Sequence, residues 1–118
     1  TGCLETFISG PAIEREFNNL HGKNLNMKNI VKESGAGNFK AEQTIRNFED
    51  RLARALAHVI NILDPDSIVL GGGLSNIDRL YSNVPKIWAE YIFSDDVSTV
   101  LSKARFGDSS GVRGAAWL

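Results

Sequence analysis

Three consecutive glycines, Gly71 to Gly73, directly follow a short apolar, β-branched stretch at residues 67–70. Such a stretch is typical of a buried parallel strand. Because glycine lacks Cβ and tolerates positive φ, glycines at the end of a strand let backbone amides approach a ribose or phosphate closely. The alternative is a plain strand-to-helix turn, which seldom needs three glycines in a row. The pattern therefore predicts a strand whose end contacts a nucleotide or a similar ligand.

Helical periodicity dominates the sequence before this strand. Between residues 39 and 63 apolar residues recur every three or four positions, which predicts one long amphipathic helix that ends before Pro65. The glycines near residues 35–37 predict the end of a shorter helix over 26–34. The apolar spacing over residues 4–20 predicts helices interrupted near Pro11, which can begin the second of them.

After the glycines, the sequence pattern predicts a helix, a second strand and a last short helix. Ser75 or Asn76 is expected to cap a further helix, residues 99–106 are expected to form a second strand, and residues 112–118 a short helix. Strand, helix, strand and helix in this order predict an α/β fold. Two strands would leave the helices uncovered, so we expect the remaining strands to lie on sequence outside this chain.

Composition narrows the classes of partner. The chain has 13 basic and 14 acidic residues, scattered rather than clustered, which argues against a nucleic-acid or membrane partner and favours small molecules. No apolar run approaches the ~20 residues of a membrane span, and there is no signal-peptide pattern. A cytoplasmic protein is expected, in agreement with a single cysteine, Cys3. The start at Thr1 suggests a fragment of a longer protein.

Several short sequences together resemble the ROK family of bacterial sugar kinases and repressors. They are residues 2–5 (GCLE), the glycine strand and the ending at residues 106–118 (FGDSSGVRGAAWL). Within the family, residues 3–10 (CLETFISG), residues 56–66 (LAHVINILDPD) and the same ending look closest to fructokinases that also accept mannose. The likeness spans essentially the whole chain.

This resemblance implies a fold and a place within it. The family has an actin-like (ribonuclease H-like) ATPase fold of two lobes, with hexose and ATP in the cleft between them. Residues 1–118 would form the C-terminal portion of the larger lobe, helix-rich with a few strands. Family kinases transfer the γ-phosphoryl group of ATP with Mg²⁺ and an aspartate base. Those motifs would precede Thr1, so we assign no catalytic residue to this chain.

The resemblance also implies contact residues. Glu5 matches the family glutamate that accepts hydrogen bonds from sugar hydroxyls, a role suited to a carboxylate. From composition alone, the alternative is an acid at a helix N-terminus. Gly71, Gly72 and Gly73 match the nucleotide loop that accommodates the adenosine of ATP. Ser75 could add a polar contact to it, although capping the next helix is an equal alternative.

Cys3 matches the last cysteine of the family's zinc motif. The other ligands of that motif are absent here, and a structural zinc site needs four donors. The resemblance therefore implies zinc in the intact protein, with Cys3 as one ligand of a site that is incomplete in this chain.

Three functional hypotheses follow. The first is the C-terminal portion of an ATP-dependent hexose kinase, a fructokinase by the short sequences above. The second is the sugar-sensing lobe of a ROK-family repressor, which needs no ATP and tends to lose glycines at the turn, so the glycine triplet favours the kinase. The third is a stand-alone helical interaction module. Homodimerisation through the larger lobe, with the exposed face of the long helix, is left open.

Overall fold

The computed structural model describes residues 3–7, 11–22, 26–94 and 97–104. Within them, strands and helices alternate along the chain, and the long central helix is followed by the glycine strand. In chain order the elements are β1 (Cys3–Phe7), α1 (Pro11–His21), α2 (Met27–Gly35), α3 (Phe39–Leu63), β2 (Ser67–Gly71), a 3₁₀ turn (Gly73–Asn76), α4 (Leu80–Trp88), a second 3₁₀ turn (Ala89–Tyr91) and β3 (Val100–Lys103).

The described strands form one parallel sheet in the order β1-β2-β3. Cys3 lies opposite Ser67, and Phe7 opposite Gly71. The carboxyl ends of the strands therefore meet at one edge of the sheet, which is where ligands bind in open α/β folds. The glycine strand β2 is the central strand of the three.

The two faces of this sheet differ in what they pack against. Ile68, Leu70 and Leu101 are buried and belong to the core that the helices also supply. Glu5, Val69 and Ser102 occupy matching register positions and alternate with those residues, so their side chains lie on the opposite face. The described helices thus cover one face of the sheet.

Helix α3 has the bounds that its periodicity predicts, because both of its ends carry local signals. At its start, Asn38 Oδ1 accepts hydrogen bonds from the backbone N–H groups of Lys40 (3.0 Å) and Ala41 (3.1 Å). At its end, Asp64 adopts φ 45° and donates its N–H to the Ile60 carbonyl at 2.9 Å. Pro65 then prevents continuation of the helix.

The core is built around α3, against which α2 and α4 pack. Ile45, Leu52 and Ala53 on α3 are at most 1% exposed, and Ile30 of α2 and Leu80 of α4 are fully buried. The predicted helix over 26–34 is also confirmed, with Asn26 as its N-cap: Asn26 Oδ1 accepts the N–H of Asn29 at 2.9 Å.

Two expectations about local structure are wrong. Cys3–Phe7 is a strand rather than part of a helix, because it pairs with β2. Ser75 and Asn76 do not cap the next helix: they lie in the 3₁₀ turn, and α4 begins at Leu80 without a side-chain cap.

The predicted second strand is confirmed over Val100–Lys103, and β1 adds a third strand that was not predicted. The helix expected at 112–118, and the family-like ending that contains it, lie outside the described residues. None of the helices in the described part of the chain is both long and apolar enough to cross a membrane.

The cap at Asn38 gives a test of how α3 is anchored. We expect Asn38→Ala to lower the free energy of unfolding by about 1 kcal/mol, because two backbone N–H groups lose their acceptor. Asn38→Ser keeps a side-chain oxygen at the cap and serves as the matched control, retaining most of that stability. Urea unfolding followed by circular dichroism measures both, and equal losses would show that the cap contributes nothing.

Candidate functional site

The three glycines lie at the carboxyl edge of the sheet, where β2 ends. Gly71 is the last residue of β2, and Gly72 follows with φ 87° and ψ −179°. This backbone conformation is essentially restricted to glycine. Gly73 begins the 3₁₀ turn Gly73–Asn76. The sequence therefore needs a glycine at position 72 for the turn itself.

In the described structure, neither the backbone conformation nor a lack of space requires glycine at position 73. Its φ lies outside the left-handed region, and a Cβ added there would meet nothing within 4 Å. The residue is exposed. A glycine whose Cβ would point into open space leaves room for a ligand close to the backbone.

Ser75 fixes the shape of the turn. Its N–H and its Oγ both donate to the Gly72 carbonyl, at 3.1 and 2.6 Å, and the residue is 6% exposed. The hydroxyl of Tyr81 in turn donates to the Ser75 carbonyl. Burial, with a smaller contribution from Asp78, raises the pKa of Tyr81 to about 12, so this hydroxyl is protonated at neutral pH. The predicted nucleotide contact of Ser75 stays a prediction.

A groove of about 620 Å³ lies beside the turn, a volume in the range of small-molecule sites. One wall comes from α2, and the other from the segment that follows β2, which we call the post-glycine segment (residues 73–79). The α2 wall consists of Met27, Lys28, Val31 and Gly35, and the post-glycine wall of Gly73, Asn76, Ile77, Asp78 and Arg79.

The lining suits a ligand with an apolar ring and polar substituents. Met27 and Ile77 are each 7% exposed and supply apolar surface from opposite walls. Lys28, Asn76 and Asp78 are exposed and supply an ammonium, an amide and a carboxylate at the rim. A planar base could pack against the apolar part while its polar groups reach the rim.

Arg79 joins the two walls to α3. Its Nη1 and Nη2 donate to the two carboxylate oxygens of Glu42 at 2.7 and 3.0 Å, and its Nε and Nη2 donate to those of Glu49 at 2.8 and 3.2 Å. Nη1 also lies 3.4 Å from Ser34 Oγ on α2. Asn83 on α4 donates its amide to Glu49 at 3.1 Å. We call Ser34, Glu42, Glu49, Arg79 and Asn83 the Arg79 cluster.

The Arg79 cluster supplies charge and hydrogen-bond partners to the buried carboxylate of Glu49, which would be strongly destabilising without them. Glu49 is only 2% exposed, and a buried charge is tolerated when it is paired and hydrogen-bonded. Removing one partner from a buried ion pair typically costs about 3–5 kcal/mol. The guanidinium of Arg79 is therefore committed to the two carboxylates, although it lines the groove.

Glu42 is the more accessible carboxylate of the cluster. Hydrogen bonds from Arg79, then from Ser34 and Arg46, lower its pKa from 4.5 to about 2 against the opposing effect of burial. Arg46 reaches the same carboxylate from one helical turn away, with its Nε 2.6 Å from Oε2. The ionised form of Glu42 is thus strongly favoured in the folded protein.

Glu5 lies on β1, half-buried, on the face of the sheet opposite to the helical core. The alternative of a helix N-terminal acid is wrong, because the residue is in a strand. Glu5 is paired with Val69, two residues before Gly71. The spacing and rise of parallel strands put the Cα atoms of Glu5 and Gly71 about 8 Å apart.

Cys3 is exposed at the amino end of β1, at the sheet edge opposite to the glycines. Within the described ranges, no group of three or more histidine, cysteine, aspartate or glutamate residues could hold a metal ion. The described part of the chain thus holds no complete zinc site, and Cys3 as one ligand of a zinc ion in the intact protein stays a prediction.

Sequence reasoning thus predicted the glycine turn but missed the groove and the Arg79 cluster. One signal was available: Glu42 and Glu49 are seven residues apart on a helix, so both occupy one face, and Glu49 falls among the apolar residues of that face. A carboxylate at such a position indicates a buried cationic partner. Neither Arg79 as that partner nor α2 as the second wall is visible from local sequence.

The chain is similar to known proteins over its whole length. The family model described as "ROK family" matches residues 1–118. N-acetyl-D-glucosamine kinase of Photobacterium profundum is 39% identical over 117 residues, and that of Mannheimia succiniciproducens is 40% identical over 116 residues. These alignments cover 99% and 98% of this chain but 39% and 38% of those enzymes. The chain thus spans well under half the length of these relatives.

Two solved structures share the fold. A ROK hexokinase from Thermus thermophilus matches with a TM-score of 0.74 at 23% identity, covering 91% of this chain and 37% of the other. A ROK family protein from Streptococcus pneumoniae in complex with sucrose matches with a TM-score of 0.73 at 22% identity, covering 84% and 36%. The predicted fold class, a helix-rich α/β part of an actin-like ATPase lobe, is confirmed.

Substitutions at Gly72 and Gly73 can distinguish a glycine that the fold requires from a glycine that leaves space for a ligand. We expect Gly72→Ala to lower the free energy of unfolding by about 1–3 kcal/mol, because alanine would be strained at this φ and ψ. Gly73→Ala should stay within about 0.5 kcal/mol of the wild type, because its Cβ meets nothing. Urea unfolding of the two variants checks this, and equal losses would contradict the described turn.

The low pKa of Glu42 predicts a pH-dependent contribution to stability. A carboxyl with a lowered folded-state pKa stabilises the protein above its unfolded pKa of 4.5, and this stabilisation is lost as the pH falls toward about 2. The difference in unfolding free energy between the wild type and Glu42→Gln should therefore be largest above about pH 5 and shrink below it. Denaturant unfolding at a series of pH values measures it, and a constant difference would contradict the Arg79–Glu42 pairing.

Proposed function

Because the chain belongs to the ROK family, we propose that it is the C-terminal portion of an ATP-dependent sugar kinase that phosphorylates a hexose hydroxyl. The observation that carries this proposal is the glycine turn at the carboxyl end of β2, open at Gly73 and adjoining the 620 Å³ groove. Gly72 serves the turn itself, whereas the open glycine at position 73 would serve a kinase, which must hold a nucleotide close to the backbone. Sugar phosphorylation belongs to the complete protein, of which this chain would be one part.

The nucleotide would lie across the glycine turn and in the groove. Gly71, Gly72 and Gly73 would let the backbone approach the adenosine moiety, with Ser75 holding the turn in shape. Met27 and Ile77 would pack against the base, and ATP would supply the γ-phosphoryl group. We assign no ligand for Mg²⁺ and no catalytic base to this chain.

The sugar would lie on the Glu5 side of the sheet. Glu5 is an acceptor for sugar hydroxyls, and its backbone is about 8 Å from the end of β2, as judged from strand spacing. That separation is compatible with a sugar and a nucleotide phosphate meeting above the same sheet edge. Glu5 would therefore position the sugar rather than take its proton.

The short sequences and the relatives point to different hexose substrates. The fructokinase assignment rests on short sequence similarities, whereas the relatives at 39% and 40% identity are named N-acetyl-D-glucosamine kinases. The relatives make N-acetylglucosamine the first substrate to test, and the short sequences keep fructose as the second. The repressor hypothesis predicts sugar binding without ATP turnover.

A coupled assay of the full-length protein tests the proposal. With ATP and Mg²⁺ present, we expect phosphorylation of N-acetylglucosamine or fructose, measured with both sugars and with mannose and glucose. Gly73→Val should raise the KM for ATP by about tenfold or more, because its side chain would occupy the space kept for the nucleotide. Sugar binding without turnover on any of the four sugars would instead support a repressor.

Glu5→Gln gives the matching test on the sugar side. It keeps the size of the side chain and removes its charge, so we expect a weaker sugar affinity by about tenfold, with the KM for ATP little changed. Gly73→Val and Glu5→Gln thus have opposite expected patterns, one on ATP and one on sugar. If both variants raised the same KM, the proposed division of the site would be wrong.

A further inference from the structure

We infer that Arg79 is a positioning residue for the nucleotide groove: it holds the post-glycine segment at a fixed distance from α2. The inference rests on the proposed function, because it assigns the groove to ATP. It adds a residue outside the glycine turn whose loss should weaken nucleotide binding by changing the shape of the groove rather than by removing a bond to phosphate.

The first observation is that Arg79 lines the groove without being free to bind a ligand. Its three guanidinium nitrogens all donate to Glu42 or Glu49, at 2.7–3.2 Å. A phosphate would have to displace either Glu49, which is 2% exposed, or Glu42, which Arg79 binds through two nitrogens. Direct phosphate recognition by Arg79 is therefore disfavoured.

The second observation is the position of the cluster between the walls. Arg79 belongs to the post-glycine wall, and Ser34 lies on α2 next to the groove residue Gly35. Ser34 donates to Glu42, and Arg79 donates to the same carboxylate. Both walls are thus fixed to one side chain of α3.

The third observation concerns what else holds the post-glycine segment. The backbone hydrogen bond from Ile77 N to Leu74 O, at 3.1 Å, lies within the segment. Backbone bonds from Leu80, Tyr81 and Asn83 join its far end to α4 at 3.0–3.2 Å, but none of them reaches α3. Tyr81 holds Ser75 at the start of the turn. Arg79 supplies the bidentate contact that ties the far end of the segment to α3. A displacement of this end would change the width of the groove.

Enzyme kinetics of the full-length protein test the inference. We expect Arg79→Gln to raise the KM for ATP by about tenfold, with kcat at saturating ATP and the KM for sugar within about twofold of the wild type. Arg79→Lys should give an intermediate KM, because an ammonium cannot bind two carboxylates bidentately. Arg46→Gln is the matched control: it also removes an arginine from Glu42, but from an exposed position outside the groove, so its KM for ATP should stay within about twofold.

Arg79→Gln leaves Glu49 buried without its cation and could prevent folding. The double variant Arg79→Met with Glu49→Gln removes both charges and the hydrogen bonds of residue 79 to α3, while the glutamine at position 49 can still accept the Asn83 amide. With a melting temperature near that of the wild type, this variant should still show the raised KM for ATP. The KM of this variant for ATP therefore tests the position of the post-glycine segment without the destabilisation that an unpaired buried charge would cause.

Two outcomes would overturn the inference. One is a folded double variant with an unchanged KM for ATP. The other is an equal rise in the KM values for ATP and sugar together with a lowered melting temperature, which would show a purely structural role. Failure of the proposed function looks different, because the wild-type protein itself would then show no ATP-dependent turnover.

Discussion

The buried carboxylate of Glu49 is the constraint around which the proposed site is arranged. It lies on the apolar face of α3 at 2% exposure, where an unpaired charge would be strongly destabilising. Arg79 neutralises it through two hydrogen bonds and extends the pairing to Glu42. The chain must therefore bring the segment after the glycines back against α3. Together with the buried side chains of Leu74, Ile77 and Leu80, this pairing places the turn, one wall of the groove and the beginning of α4 against the helical core.

Much of the fold was predictable where the signals are local. The bounds of α3 follow from apolar periodicity, the Asn38 cap and Pro65, all readable within a few residues of each helix end. The glycine strand was likewise predictable from its β-branched residues and the turn after it. β1 was not, because its apolar spacing also fits a helix, and only pairing with β2, far away in sequence, makes it a strand. Tertiary contact overrode the local pattern.

In the candidate site, too, the features with local sequence signals were predictable and those that depend on distant contacts were not. Gly72 and Gly73 were predicted as a ligand turn from composition and order alone, and the structure explains why position 72 needs glycine while position 73 does not. The groove was missed because its second wall comes from α2, about forty residues earlier, and no spacing rule relates the two. A carboxylate at an apolar helix position was the one readable sign of the Arg79 cluster. It signals that a cation is near, without saying which one.

The parallel pairing of β1 with β2 also has a consequence for how the chain folds. Residues 3 and 67 meet across the sheet, and three helices lie between them in sequence. Closing a loop of that length carries an entropic cost that must be met before the strand contacts form, whereas α2 and α3 are neighbours in sequence and can pack early. We therefore expect α2 and α3 to assemble before β1 joins the sheet. During refolding, the strand that carries Glu5 would therefore join a helical pair that has already formed, so the sugar side of the proposed site would depend on the slowest contact of the sheet.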